Sequence, residues 1–174
     1  EISKMLPTML KVAANFKNET FVVTGAPSIP DAFYNSFSLP ENVKVVYNKT
    51  YSVMKSAKAA LVTSGTATLE TALFNTPEVV CYKGSSISVA IAKRLIKVKY
   101  ISLVNLIMDK ELVKELIQEE FTVANCTIDL NKLLNPENSE KLRNGFAELK
   151  AILGNKGASQ KTARIIYELA QSNI

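Results

Sequence analysis

The chain has 174 residues, 47% of them hydrophobic and 21% charged, with a formal net charge of +5. That is one domain's length with ample core material, and too apolar for a disordered chain. No apolar stretch reaches the ~20 residues that a membrane-crossing helix needs, and histidine is absent altogether. The lack of histidine excludes Ser-His and Cys-His nucleophile pairs and leaves Cys81 and Cys126 without a zinc pattern.

Any acid or base must therefore be Asp, Glu, Lys or Tyr, or come from outside this chain. The two cysteines lie in apolar surroundings and read as buried reduced thiols. A positive balance favours an anionic partner such as a nucleotide phosphate or an anionic lipid. No aromatic-interleaved basic motif points to RNA or DNA. The start, Glu1-Ile2-Ser3-Lys4, has no basic region ahead of an apolar core. It reads as a cut inside a longer protein rather than a signal peptide.

In chain order, residues 2–16 carry apolar side chains at helical spacing, with Pro7 inside the run. Residues 21–23 form a short strand before a Thr-Gly-Ala-Pro loop. A short helix is expected over 30–37, a strand over 43–47 and a helix over 50–57, with Thr50 as its candidate cap. A third strand covers 59–63, followed by a helix over 66–74 and a fourth strand over 78–82. A helix opens at Ser86 or Ser88 and runs to about 97. Residues 100–103 read as a short extended run. Helices are then expected over 111–119, from 124 or 128 to 134, over 139–153 and over 159–171. Gly154 and Gly157 separate the last two.

Short strands that are apolar on both faces and alternate with helices describe an α/β domain. It is a Rossmann-like parallel sheet with helices on both faces, followed by C-terminal helices. In such sheets ligands bind beyond the carboxyl ends of the strands.

The stretch "ALVTSGTATLE" stands at such an end. Gly65 lets the backbone approach a ligand. The first amides of the following helix lack intrahelical partners, and the helix dipole is positive there. Hydroxyls of Ser64, Thr66 and Thr68 add donors, so the turn can hold a phosphate. Glu70, one turn in, can accept two hydrogen bonds from a ribose diol. The competing reading is plainer: Ser64 or Thr66 caps the helix, and Glu70 is a solvated acid favoured by the dipole. The turn carries neither the Gly-x-Gly-x-x-Gly fingerprint nor a P-loop lysine.

Lys93, Arg94 and Lys97 group on one side of the 86–97 helix. They form either a solvated basic face or a patch for anionic lipid headgroups. Asn105, alone among apolar residues, is either a turn former or a ligand contact. Glu111, Glu115, Glu119 and Glu120, partly balanced by Lys110 and Lys114, read as a charged outer face.

"ALVTSGTATLETALFNTPEVVCYK", followed by "AKRLIKVKYISLVNLI" and "KELVKELIQEEF", closely resembles the lipid-A-disaccharide synthases. The match runs in order over residues 57–121, and the flanks are compatible with the family's C-terminal half. The resemblance implies an inverting glycosyltransferase of the GT-B type, with two Rossmann-like domains across a cleft. Such enzymes join UDP-2,3-diacylglucosamine to 2,3-diacylglucosamine 1-phosphate (lipid X), giving lipid A disaccharide 1-phosphate and UDP. It implies no cofactor and no essential metal. The expected location is the cytoplasmic face of a Gram-negative inner membrane, held peripherally on its anionic surface. The expected partners are the chain's own N-terminal domain and, in a homodimer, a second copy.

By position, the resemblance places Ser64, Gly65, Thr66 and Ala67 at the diphosphate and Glu70 on the ribose. It places Asn105 near the nucleotide and Tyr82 in the family's Tyr-Arg pair. Val104 replaces the usual proline before Asn105, and Lys83 stands where arginine is common, losing the bidentate fork. The whole chain, 1–174, then corresponds to a C-terminal UDP-sugar-binding domain. The family's Leu-Pro-Gly-Ser-Arg loop, the first strand and the N-terminal acceptor domain with the catalytic base lie outside it. Loss of that strand leaves an unpaired position in the sheet unless another chain or a tag fills it. Two rival readings are a UDP-sugar 2-epimerase-like domain, which normally relies on histidine, and a non-catalytic nucleotide- or membrane-docking module.

Overall fold

The computed structural model describes residues 2–63, 65–84, 99–154 and 157–172. Strands and helices alternate as α1 (Ile2–Ala13), β1 (Phe21–Gly25), α2 (Asp31–Asn35), β2 (Val43–Tyr47), α3 (Thr50–Ser56), β3 (Ala60–Thr63), α4 (Thr66–Leu73) and β4 (Glu78–Tyr82). After the 85–98 segment come α5 (Leu103–Met108), β5 (Lys114–Ile117), a 3₁₀ turn (Gln118–Glu120), α6 (Val123–Leu134), α7 (Pro136–Leu153) and α8 (Ala158–Ser172). The expected helix over 86–97, with Lys93, Arg94 and Lys97, lies outside the described residues.

Every strand pairing among the described residues is parallel, as expected from apolar strands joined by helices. Among the described residues the strands form two sheets, β1-β2 and β3-β4-β5. Phe21 pairs with Val43 in the first, and Ala60 with Glu78 and Val79 with Lys114 in the second. In β4, Val79, Val80 and Cys81 are fully buried because both faces of the sheet are covered. Val79 and Cys81 join a core with Met5 and Val12 of α1 and Cys126 and Leu130 of α6. Val80 points the other way, to Ala72, Val104, Phe146 and Leu149 of α4, α5 and α7. Each such aliphatic burial contributes about 1.5–3 kcal/mol.

A third cluster packs Leu6, Leu10 and Ala13 of α1 against Tyr34 and Val43 beside the two-stranded sheet. α1 thus touches both sheets, and Pro7 is accommodated within it. Asn42 ties this end together, its Nδ2 donating to the carbonyls of Ala13, Phe16 and Glu19 at 2.9, 2.9 and 3.1 Å. Cys81 and Cys126 are buried free thiols, as the sequence suggests. Their mutual hydrogen bond and their burial push the Cys81 thiol well up.

The caps account for several helix starts that the apolar pattern places late. Thr122 accepts from the Asn125 amide, so α6 begins at Val123. Asn135 caps α7 with Pro136 in its first turn, three residues ahead of the expected Ser139.

Two expectations are corrected. Residues 100–103 do not continue as a strand; Ser102 caps α5, which begins at Leu103. Residues 111–119 are not a helix, because Lys114–Ile117 is the edge strand β5. The i, i+4 spacing of Glu111, Glu115 and Glu119 imitates a helical face. The pairing of residues 114–117 with β4 overrides it, and alternation takes over. Val113 and Leu116 accordingly enter opposite cores.

α8 exposes every residue whose side chain is described, including Ile165, Ile166, Tyr167 and Leu169. No helix among the described residues is long and apolar enough to cross a membrane.

Candidate functional site

β3 ends at Thr63 and α4 begins at Thr66. Ser64 lies outside the described residues. Gly65 caps α4 with φ +140°, a region that side chains other than glycine's rarely adopt. A Cβ built there would meet nothing within 4 Å. The glycine is therefore required by backbone conformation and not by crowding, and the space in front of it is open.

Because the cap is a glycine, no side chain caps α4 from that position. Thr66 is the first helical residue and is exposed, and Ala67 is half-buried. The capping reading for Thr66 therefore fails, and the first amides of α4 face the carboxyl edge of the sheet without intrahelical partners. Thr68 behaves differently from expectation. It is fully buried and its hydroxyl donates to the Gly65 carbonyl at 2.8 Å, so it shapes the turn and is no ligand donor. Thr71 is likewise buried, donating to the Ala67 carbonyl at 2.7 Å.

Glu70 is half-buried, one turn into α4. It lines a shallow cavity with Asn48, Lys49, Thr50, Tyr51 and Ser52, the turn that opens α3. Sequence reading missed that this turn stands beside Glu70, since about 20 residues separate them in the chain. Asn48 has φ +56°, and this left-handed residue aims the chain into α3.

Tyr82 ends β4. It lies one residue beyond the Thr63–Cys81 pair, so it stands at the carboxyl end of the sheet, the end at which Gly65 opens α4. Lys83 follows, exposed. Tyr82, Gly65, Thr66, Ala67 and Glu70 are thus gathered at one end of the domain.

Asn105 has another place. It is fully buried, and all its side-chain hydrogen bonding is internal. Nδ2 donates to the Val113 carbonyl and to Glu115 Oε1, both at 2.8 Å. Oδ1 accepts from the Leu112 and Val113 amides at 2.8 and 2.9 Å. Glu115, expected on a charged outer face, is the correction that accompanies it. Glu115 is buried and also accepts from the Ile101 amide, the Ser102 amide and the Ser102 hydroxyl. Four donors compensate the burial of this carboxylate. Glu111, Glu119 and Glu120 are exposed, as expected.

Val104, which replaces the usual proline, is the second residue of α5. Its amide belongs to the helix's unpartnered first turn, so either residue fits there.

One buried acid was not foreseen. Glu78 opens β4 opposite Ala60, is fully buried, and has no hydrogen-bond partner for either carboxylate oxygen among the described residues. Burial pushes its carboxyl well above the usual carboxylate range.

The family profile described as lipid-A-disaccharide synthetase matches residues 1–168. The chain is 32% identical to the lipid-A-disaccharide synthase of Geobacter metallireducens, with 97% of this chain and 46% of that protein aligned. The Geobacter sulfurreducens enzyme of the same name is 32% identical over 100% of this chain and 47% of its own length. The Persephonella marina enzyme is 34% identical over 99% and 48%. The chain thus spans about half the length of these relatives. Among solved structures, spinosyn forosaminyltransferase superposes with a TM-score of 0.51 at 19% identity, over 83% of this chain and 34% of that one. That likeness concerns the fold.

Proposed function

The chain belongs to the lipid-A-disaccharide synthase family, and from that premise we propose that it is the UDP-sugar-binding C-terminal half of such an enzyme. The whole enzyme would join UDP-2,3-diacylglucosamine to lipid X with inversion, releasing UDP. The observation that carries this reading is the open glycine-capped turn at the carboxyl edge, with Glu70 one helical turn behind it.

In this reading the amides of Gly65, Thr66 and Ala67 and the hydroxyls of Ser64 and Thr66 hold the diphosphate. Glu70 holds the ribose diol, and Tyr82 borders the nucleotide from the next strand. As the glycosidic bond to UDP breaks, negative charge grows on the diphosphate. Amides already aimed at that position stabilise it without reorganising. Asn105 acts here as a positioning residue that holds the loop around Ser102, not as a direct contact. The proton of the acceptor hydroxyl goes to a base in the other half of the enzyme. The basic residues Lys93, Arg94 and Lys97 would draw the enzyme to an anionic inner-membrane surface, each contributing about 1 kcal/mol near it.

Calorimetric titration with UDP tests the reading. Saturable binding by the full-length enzyme that is weakened in Glu70→Ala supports it. Undiminished binding in Glu70→Ala and in Gly65→Val together would remove the turn from the nucleotide site.

A further inference from the structure

Gly25 ends β1 and Tyr47 ends β2, and the two residues pair across the strands. A Cβ built on Gly25 would stand 2.4 Å from Tyr47 Cε1 and 2.5 Å from Cδ1. The ring therefore lies against the Gly25 backbone, and no side chain fits between them. Crowding requires this glycine, whereas backbone conformation requires Gly65. Two further residues hold the same ring. Buried Tyr34 of α2 meets it edge-on, with centroids 5.9 Å apart and ring planes at 72°. Tyr34 is itself anchored, its hydroxyl accepting from the Ala26 amide at 2.9 Å. Asp31, in the first turn of α2, accepts from the Tyr47 hydroxyl. Partial burial and this carboxylate push the Tyr47 phenol up.

The next residue is Asn48, with φ +56°. It begins the wall that faces Glu70 across the shallow cavity, and neither Gly25 nor Tyr47 lines that wall. One peptide link thus joins a side chain held on three sides to the turn that borders Glu70. We propose that Gly25 and Tyr47 are positioning residues for the nucleotide: their cross-strand pair holds the turn over 48–52 in place opposite Glu70. The inference rests on the reading of Glu70 as the ribose carboxylate. A methyl group at Gly25 drives the ring off the strand, and the turn moves with it. Gly65 and the first amides of α4 follow a strand of the other sheet, so the diphosphate grip stays where it is. The loss then falls on binding that ground state and transition state share, which raises KM and spares kcat.

A double-mutant cycle in the full-length enzyme tests this, reading KM and kcat for the UDP-sugar and the UDP Kd by calorimetry. Gly25→Ala should raise KM and Kd at least tenfold, with kcat within twofold of the parent. In a Glu70→Ala background the same change should cost less than twofold, because the wall no longer has a carboxylate to face. A parent-like KM in Gly25→Ala overturns the inference, as does a loss confined to kcat. Losses that multiply in the double variant also overturn it, since they mark a general loosening. Tyr47→Ala frees the turn without adding a clash, so the same cycle built on that variant decides the matter where Gly25→Ala fails to fold. UDP affinity undiminished in Glu70→Ala alone is a separate failure: it removes the ribose reading, and this inference with it.

Discussion

Asn105 Nδ2 donates to Glu115 Oε1 at 2.8 Å, and this bond joins α5 to the edge strand β5 inside the core. Ten residues separate the pair, yet between them they satisfy five backbone amides and carbonyls from residues 101–113. Removing either side chain leaves several buried groups unpaired, each costing about 1–3 kcal/mol. Glu115→Ala and Asn105→Ala should each lower the unfolding free energy by about 2–4 kcal/mol in urea titration, with near-additivity failing in the double variant. Asn105→Asp should destabilise as well, because it sets two carboxylates against each other in the core.

Glu78 should behave in the opposite sense. Its folded pKa is raised above the unfolded value, so the folded state holds a proton that the unfolded chain has already released. The stability this group contributes is present below the unfolded carboxylate pKa, about 4.3, and is lost as pH rises towards the folded pKa. Glu78→Gln keeps the shape and removes the titration. Thermal melts should show the variant above the parent at pH 7, with the difference shrinking towards pH 4. A constant difference across that range would remove the linkage.

Gly65→Val asks for φ +140° from a β-branched residue, which costs of the order of 1–3 kcal/mol of backbone strain or shifts the turn. In the full-length enzyme the expected outcome is a loss in kcat/KM of about 100-fold or more, comparable to removing one preorganised donor. Far-UV dichroism should be unchanged, since no atom crowds the site.

Glu70→Ala should act on binding. Two lost hydrogen bonds to a ribose diol correspond to about 1–3 kcal/mol, or roughly 5- to 150-fold in UDP affinity. Steady-state kinetics should show this as a rise in KM for the UDP-sugar with the fold intact. Kinetics equal to the parent's would free Glu70 from the ribose.

The 174-residue chain by itself should form no disaccharide from UDP-2,3-diacylglucosamine and lipid X, because the proposed base lies in the other half. Chromatography of lipid products checks this, and measurable turnover would relocate the base to this chain.

The chain's own sequence determined the order of elements from Ile2 to Tyr82, the parallel α/β class and the Ser64-Gly65 turn at a strand end. Local pattern suffices there: apolar runs of four or five residues, glycine at a left-handed cap, and helical spacing between them. Tertiary structure decided the rest. Glu115 reads in sequence as part of a charged outer face and Asn105 as a turn former or a ligand contact, and only the packing of α5 against β5 buries them and makes them each other's partners. Thr68 looks like a free hydroxyl until the turn brings its own Gly65 carbonyl within 2.8 Å. Glu78 reads as a strand opening, and its burial follows only from cores that cover both faces of β4. Periodicity reports which face a side chain shares. Whether that face meets water, a carboxylate or a packed core is set by residues far away in the chain, whose contacts leave no local trace.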